Sequence, residues 1–178
     1  MKTSIFLKVI ECSGATKGFQ NPKGKITAFA PTNEAMQAFF TAMSLTQQEV
    51  LSNELLCDAL LRHHVSPLII TNSMVKRRSK AQTLEPYSYL TLQNPNGPLE
   101  VSDMQGNTAI TLVGDVVAGE GILHVIDRVL QSGKSVQVGR QAAQCKDMNP
   151  SYRLLLDYET RMLHDMLAEH FASLCVCH

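Results

Sequence analysis

The apolar residues change their spacing part-way along the chain, and that change limits the possible fold more than any other feature. Up to about residue 64 they recur three and four apart, the period of a helix with one buried face. Ile5, Phe6, Val9 and Ile10 mark a first helix, with Gly14 placed to end it in the left-handed cap conformation. A second helix runs to about Met43, and Thr32 or Asn33 can cap it by offering a side-chain oxygen to its free amides. Val50, Leu51, Leu55, Leu56, Ala59 and Leu60 mark a helical region over residues 46–64, opened by the capping-box spacing of Thr46 and Glu49. From about residue 68 to 130 the pattern is that of strands. Tyr87 to Gln93 is rich in β-formers, Leu99 and Val101 alternate with Glu100 and Ser102, and Ala109–Val117 and Ile122–Leu130 are apolar on both faces over much of their length. Ile26–Ala30, stopped by Pro31, sets one short buried strand among the helices. Helices first and strands later predict an α+β domain.

Residues 132–148 are polar and are expected to be a linker between this domain (residues 1–131) and a last helix over 149–175. Asn149 and Pro150 suit the N-cap and first turn of that helix. Leu155, Tyr158, Met162, Met166 and Leu174 give it an apolar face, while Arg153, Asp157, Arg161 and Asp165 lie four apart on another. It is long enough to cross a bilayer. However, each of those charges would cost about 2.5–3.5 kcal/mol near the bilayer centre, roughly 10 kcal/mol together, so no membrane span is expected. A helix of this kind packs on its own domain, on a partner, or on a copy of itself as a dimer.

Lys plus Arg equals Asp plus Glu, 16 against 16, so the chain has no long-range field to gather nucleic acid. Cys12 and Cys57, two of the five cysteines, lie among apolar residues in helical patterns, where a free cysteine behaves as a small hydrophobe. The adjacent His63 and His64 point about 100° apart on a helix and cannot easily share an ion. Cys175, Cys177 and His178 sit at a terminus, a poor cage for a metal. Neither a Cys-x-x-Cys nor a His-Glu-x-x-His motif occurs, and Gly133-Lys134-Ser135 lacks the first glycine of a phosphate loop, that place being Arg128. No Gly-x-Ser-x-Gly elbow is present. The expectation is a protein that is not an enzyme, with no cofactor and no metal.

Two segments resemble the signature boxes of fasciclin-like domains. Ile26-Thr27-Ala28-Phe29-Ala30-Pro31-Thr32-Asn33-Glu34-Ala35-Met36 resembles the first box, and Gly121-Ile122-Leu123-His124-Val125-Ile126-Asp127-Arg128-Val129-Leu130 the second. Between them, His63-His64 falls where the family carries a Tyr-His pair, so His63 stands in place of the tyrosine. Glu120 replaces an asparagine before the second box, and Met36 a phenylalanine after the first. The resemblance covers residues 4–130. It implies a wedge-shaped β-sandwich-like core flanked by N-terminal helices, with Phe29, Pro31, Asn33, His124 and Asp127 in structural roles.

The resemblance also implies a module for cell adhesion or matrix contact, outside the cell or at its surface, with a receptor or matrix protein as partner. In animal members of the family an Asp-Ile pair before the second box and the Tyr-His region are implicated in integrin binding. Asp115-Val116 and His64 occupy those places. No apolar run of signal-peptide length opens the chain and no anchor follows, so it is expected to be a fragment of a secreted protein or to remain in the cytosol.

Three readings rest on the residues alone. His124, between Ile122 and Ile126, is expected to be buried with both ring nitrogens paired. His64 is a candidate pH sensor, because small shifts carry an imidazole across neutral pH. Lys76, Arg77, Arg78 and Lys80 place four charges in five residues. Most such runs are solvated loops; the functional alternative is a surface that associates with a sulfated or cell-wall polysaccharide, readable by its salt dependence.

Overall fold

The structure is a computed structural model and describes residues 2–15, 25–95 and 97–144. Residues up to Ala143 form one compact unit. In chain order the elements are α1 (Ser4–Cys12), β1 (Thr27–Pro31), α2 (Asn33–Ala42), α3 (Gln47–Leu51), α4 (Glu54–His64), β2 (Val65–Ser66), a 3-10 turn (Asn72–Met74), β3 (Ser79–Gln82), β4 (Tyr89–Gln93), β5 (Glu100–Ser102), β6 (Thr108–Ala118), β7 (Gly121–Ile126) and α5 (Gly133–Gln144). The helices-then-strands order is as the spacing predicts.

Hydrogen bonding joins all the strands into one seven-stranded sheet, in the order β2-β1-β7-β6-β5-β4-β3. Among the described residues only the β1–β7 pair is parallel. It is also where the two signature segments meet: Phe29 lies opposite His124 and Pro31 opposite Ile126. Pro31, which lacks an N–H, ends its strand where the ladder passes to Thr32, whose N–H donates to the Ile126 carbonyl at 3.0 Å. The sandwich expected from the family resemblance is thus, by its hydrogen bonds, a single mixed sheet with the 11-residue β6 running through both halves.

Side-chain alternation along β1 feeds two interiors. Ala30 faces one built from Phe6, Val9, Met36, Phe39, Leu56 and Leu60 of the helices. Phe29 faces a second with Ile70, Leu90, Leu92, Val101, Ile126 and Leu130. Because that second cluster draws on β1 and β7 at one end of the sheet and on β4 and β5 at the other, the sheet curves around it.

Several local readings change. The helical region 46–64 is two helices, because the Asn53 side chain accepts from the Leu56 amide and starts α4 afresh. Its first part opens with the capping box of Thr46 and Glu49. Thr32 caps α2, accepting from the Ala35 amide at 3.2 Å. Asn33 does not cap its own helix; its Oδ1 accepts from the Ile5 amide at 3.0 Å and so closes the start of α1. Local sequence could not show that α1 returns to that spot. Asp127 ends β7 by accepting the Ile110 amide at 2.7 Å. The stretch 112–118 of β6, apolar on both faces over much of its length, is exposed throughout.

The linker expected over 132–148 is, in its described part, helix α5. Ser132 accepts from the Ser135 amide at its start, and Val138, Ala142 and Ala143 pack on the helical interior. Those side chains are small and widely spaced, so the segment reads as polar. The domain therefore extends past 131. The helix expected over 149–175 lies outside the described residues.

Cys12 and Cys57 are not free hydrophobes: packing of α1 on α4 brings their Cα atoms to 5.9 Å, and they form a disulfide. For a sequence separation of 45 residues, loss of chain entropy in the unfolded state gives this bond about 4 kcal/mol of stabilisation. Reduced protein, compared with oxidised protein by urea unfolding, is expected to lose about that much, at an unchanged fold by circular dichroism.

Candidate functional site

The residues named from the sequence fall into three places, and the most constrained lies where β6 passes β7. Two register shifts in β6, between Thr111 and Val113 and between Val113 and Val116, bulge the strand outward. Asp115 sits in the second bulge with φ of 56°, left-handed backbone that a non-glycine residue rarely adopts. The bulge closes on His124. A Cβ at Gly114 would come within 3.3 Å of the His124 Nδ1, a tight contact that glycine avoids. The Asp115 N–H donates to that Nδ1 over a long 3.4 Å. The proton therefore belongs on Nε2, which donates to the Ile70 carbonyl at 2.9 Å. The ring is fully buried and stacks on Phe29 with centroids 5.4 Å apart. His124 is thus the buried, paired histidine that its position in the strand predicts.

The Asp115 carboxylate is held from the other side by the Asn72 amide at 2.8 Å. Asn72 accepts from Asn94 Nδ2 at 2.7 Å and donates from its own Nδ2 to the Gly97 carbonyl at 3.0 Å. Three segments distant in sequence are stitched together, and Asp115 presents a side chain still 43% exposed. Around it, Leu112, Val113 and Val116 are exposed aliphatics, and Val117 is 73% exposed. A glycine inside a strand pattern marks a bulge, so Gly114 was readable in the sequence. Nothing local distinguishes Asn72 or Asn94, whose partners lie far along the chain.

His64 is elsewhere, in the helical interior against Phe6. Its Nε2 accepts from the Leu130 amide at 3.0 Å, so Nδ1 carries the proton and donates to the Leu60 carbonyl at 2.7 Å. Fully buried and with both nitrogens used, it pins the end of α4 to the chain beyond β7 and cannot touch a partner. This corrects its expected role as a contact residue. His63 hydrogen-bonds Ser88 Oγ at 2.9 Å through Nδ1, and its Nε2 has no hydrogen-bond partner among the described residues.

Burial pushes the His64 ring down to about 3. It pushes His63 down to about 4, against the upward pull of Asp103. Neither ring is protonated near neutral pH in the folded protein.

The basic run occupies a sheet margin. Lys76, Arg77 and Arg78 are exposed ahead of β3, and Lys80 lies on β3 itself, its ammonium 4.0 Å from the Tyr89 ring centroid. Among the described residues no group of histidine, cysteine or acidic side chains is arranged to hold a metal ion, and no helix is long and apolar enough to cross a membrane.

A mixed sheet whose parallel pair joins an N-terminal strand to the last strand, beside a helical layer, agrees with what comparison with known proteins finds. Residues 1–132 match the family model described as the fasciclin domain, and the chain belongs to that family. Human periostin is 33% identical over 121 residues, which make up 65% of this chain and 13% of periostin. The solved FAS1 domain pair from the insect cell adhesion molecule fasciclin I superposes with a TM-score of 0.57 at 21% identity, covering 70% of this chain and 43% of that one. The chain thus spans less than half the length of each.

His63 and His64 give the domain an acid-sensitive fold. An unfolded histidine takes up a proton near pH 6.5, whereas the folded rings refuse it until about pH 4 and 3. Their contribution to stability is therefore complete above pH 6.5 and declines as the pH falls towards those values. Urea unfolding at pH 5 is expected to give about 2 kcal/mol less stability per histidine than at pH 7. Equal stability at the two pH values would mean that the rings are charged in the folded state.

Proposed function

We propose that this chain is a non-catalytic adhesion module that works outside the cell or at its surface and binds a receptor or matrix protein through the bulged face of β6. The observation that carries this reading is Asp115-Val116: a carboxylate and an aliphatic side chain held outward on a bulge, amid exposed Leu112, Val113 and Val117. Contiguous exposed aliphatic surface around a fixed polar group suits protein recognition. Membership of the fasciclin family and likeness to a domain pair of a cell adhesion molecule support the same reading. The Cys12–Cys57 bond supports an oxidising compartment, since such bonds are rare in the cytosol.

A second reading has its own observation. Lys76, Arg77, Arg78 and Lys80 are exposed on one margin, and among the described residues none is in an ion pair. That surface suits association with an anionic polysaccharide.

The first reading is tested by plating cells on the purified full chain and on Asp115→Asn and Val116→Ser variants. Each variant is expected to need at least about tenfold more coated protein for half-maximal attachment, the size of effect of one lost interface anchor. Full attachment by both variants, with unfolding midpoints matching the parent, would remove the bulge from the contact surface.

A further inference from the structure

The basic margin continues onto an ordered face. Lys76, Arg77 and Arg78 precede the β3–β4 ladder, which begins at the Ser79–Leu92 pair. Charges on an edge strand defend it against pairing with other strands. Cations placed ahead of the ladder guard no hydrogen-bonding row, so edge protection accounts for Lys80 and leaves the other three unexplained.

Side chains alternate across a strand. Ala81 on β3 and Leu90 and Leu92 on β4 are buried in the sheet-side interior. Lys80 and Gln82 on β3, with Tyr89 and Thr91 on β4, therefore share the outer face, with Lys80 opposite Thr91 and Gln82 opposite Tyr89. Lys80, though exposed, lies with its ammonium over the Tyr89 ring, which places one positive charge on the face. On the β5 side, Gln93 Nε2 donates to Glu100 Oε2 at 2.6 Å, and that carboxylate bounds the face with negative charge.

We infer that the outer face of β3 and β4, entered through Lys76, Arg77 and Arg78, binds a sulfated polysaccharide, with Lys80 and Thr91 touching the sugar chain. This rests on the second reading above and adds the path of the ligand. Arginine forks match the oxygens of a sulfate ester as they match those of phosphate. Lys80 takes a further sulfate, the Thr91 hydroxyl and Gln82 amide meet sugar hydroxyls, and Glu100 keeps the anionic chain running along β3. A single-stranded nucleic acid fits less well. It needs successive aromatic platforms for its bases, and this face offers Tyr89, already covered by Lys80.

The test uses the full chain against an immobilised heparin-type glycan, the same glycan after desulfation, and single-stranded DNA, each over a salt series. The variants are the triple Lys76→Ala/Arg77→Ala/Arg78→Ala, and Lys80→Gln and Thr91→Val singly, with unfolding midpoints checked. Binding is expected to the sulfated glycan, to be lost on desulfation, and to be at least about tenfold weaker to DNA. Each cation removed is expected to lower the log–log salt slope by about one. Lys80→Gln and Thr91→Val are each expected to weaken binding by roughly three- to tenfold, a few tenths to one power of ten in Kd. Weakening by the triple variant without any effect of Lys80→Gln or Thr91→Val would overturn the sheet-face path and leave the basic run as the whole site. Affinity unchanged in all variants would remove both. DNA bound as tightly as the glycan would replace the sulfated-polysaccharide assignment with general binding of polyanions.

Discussion

The buried imidazole of His124 is the constraint to which the site owes its shape. An aromatic ring with two polar nitrogens lies in an interior where an unpaired polar atom costs about 1–3 kcal/mol. Both nitrogens are satisfied by backbone from outside its own strand: the Ile70 carbonyl and the Asp115 amide. Reaching the second partner requires β6 to leave regular register, which produces the bulge. The bulge brings position 114 close against the imidazole, where glycine fits without crowding, and places Asp115 in left-handed backbone. That strain is of order 1–3 kcal/mol and persists because the surroundings determine it. A polar demand inside the sheet thus fixes the posture of a carboxylate on its surface.

His64 follows the same logic with the opposite result. Its nitrogens are also paired with backbone, from Leu60 and Leu130, but nothing beyond it reaches the surface. Both histidines are read from the sequence as family positions, and the structure separates them by what their partners do. His124 shapes an exposed segment, whereas His64 joins two pieces of the interior. The family resemblance locates such residues; only the hydrogen-bond partners tell a contact from a strut.

What could be read from the sequence divides along the same line. The periodic elements and the capping box at Thr46 were legible, because spacing and adjacent residues determine them. The Cys12–Cys57 bond, the Asn33 cap on α1 and the Asn72–Asp115 contact were not, because each joins residues about 30 to 45 positions apart whose local settings are unremarkable. Helix α5 escaped for a different reason. Gly139 and the alanines near it let the helix lie close to Met43 and Leu56, and small side chains that permit close packing carry little hydrophobic signal.

The sheet's open margins show how one chain can leave strand edges exposed without inviting indiscriminate pairing. At β3 the defence is charge, with Lys80 on the strand itself. Beyond Thr111, β6 has a strand on one side only among the described residues, and it carries exposed Val113, Val116 and Val117 with no lysine among them. A long, flat edge of that composition would template aggregation. The two register shifts remove the flatness, and the carboxylate of Asp115 interrupts the apolar row. The same distortion that His124 imposes from within therefore keeps the valines from adding a stray strand, while leaving their side chains free for a surface shaped to meet them.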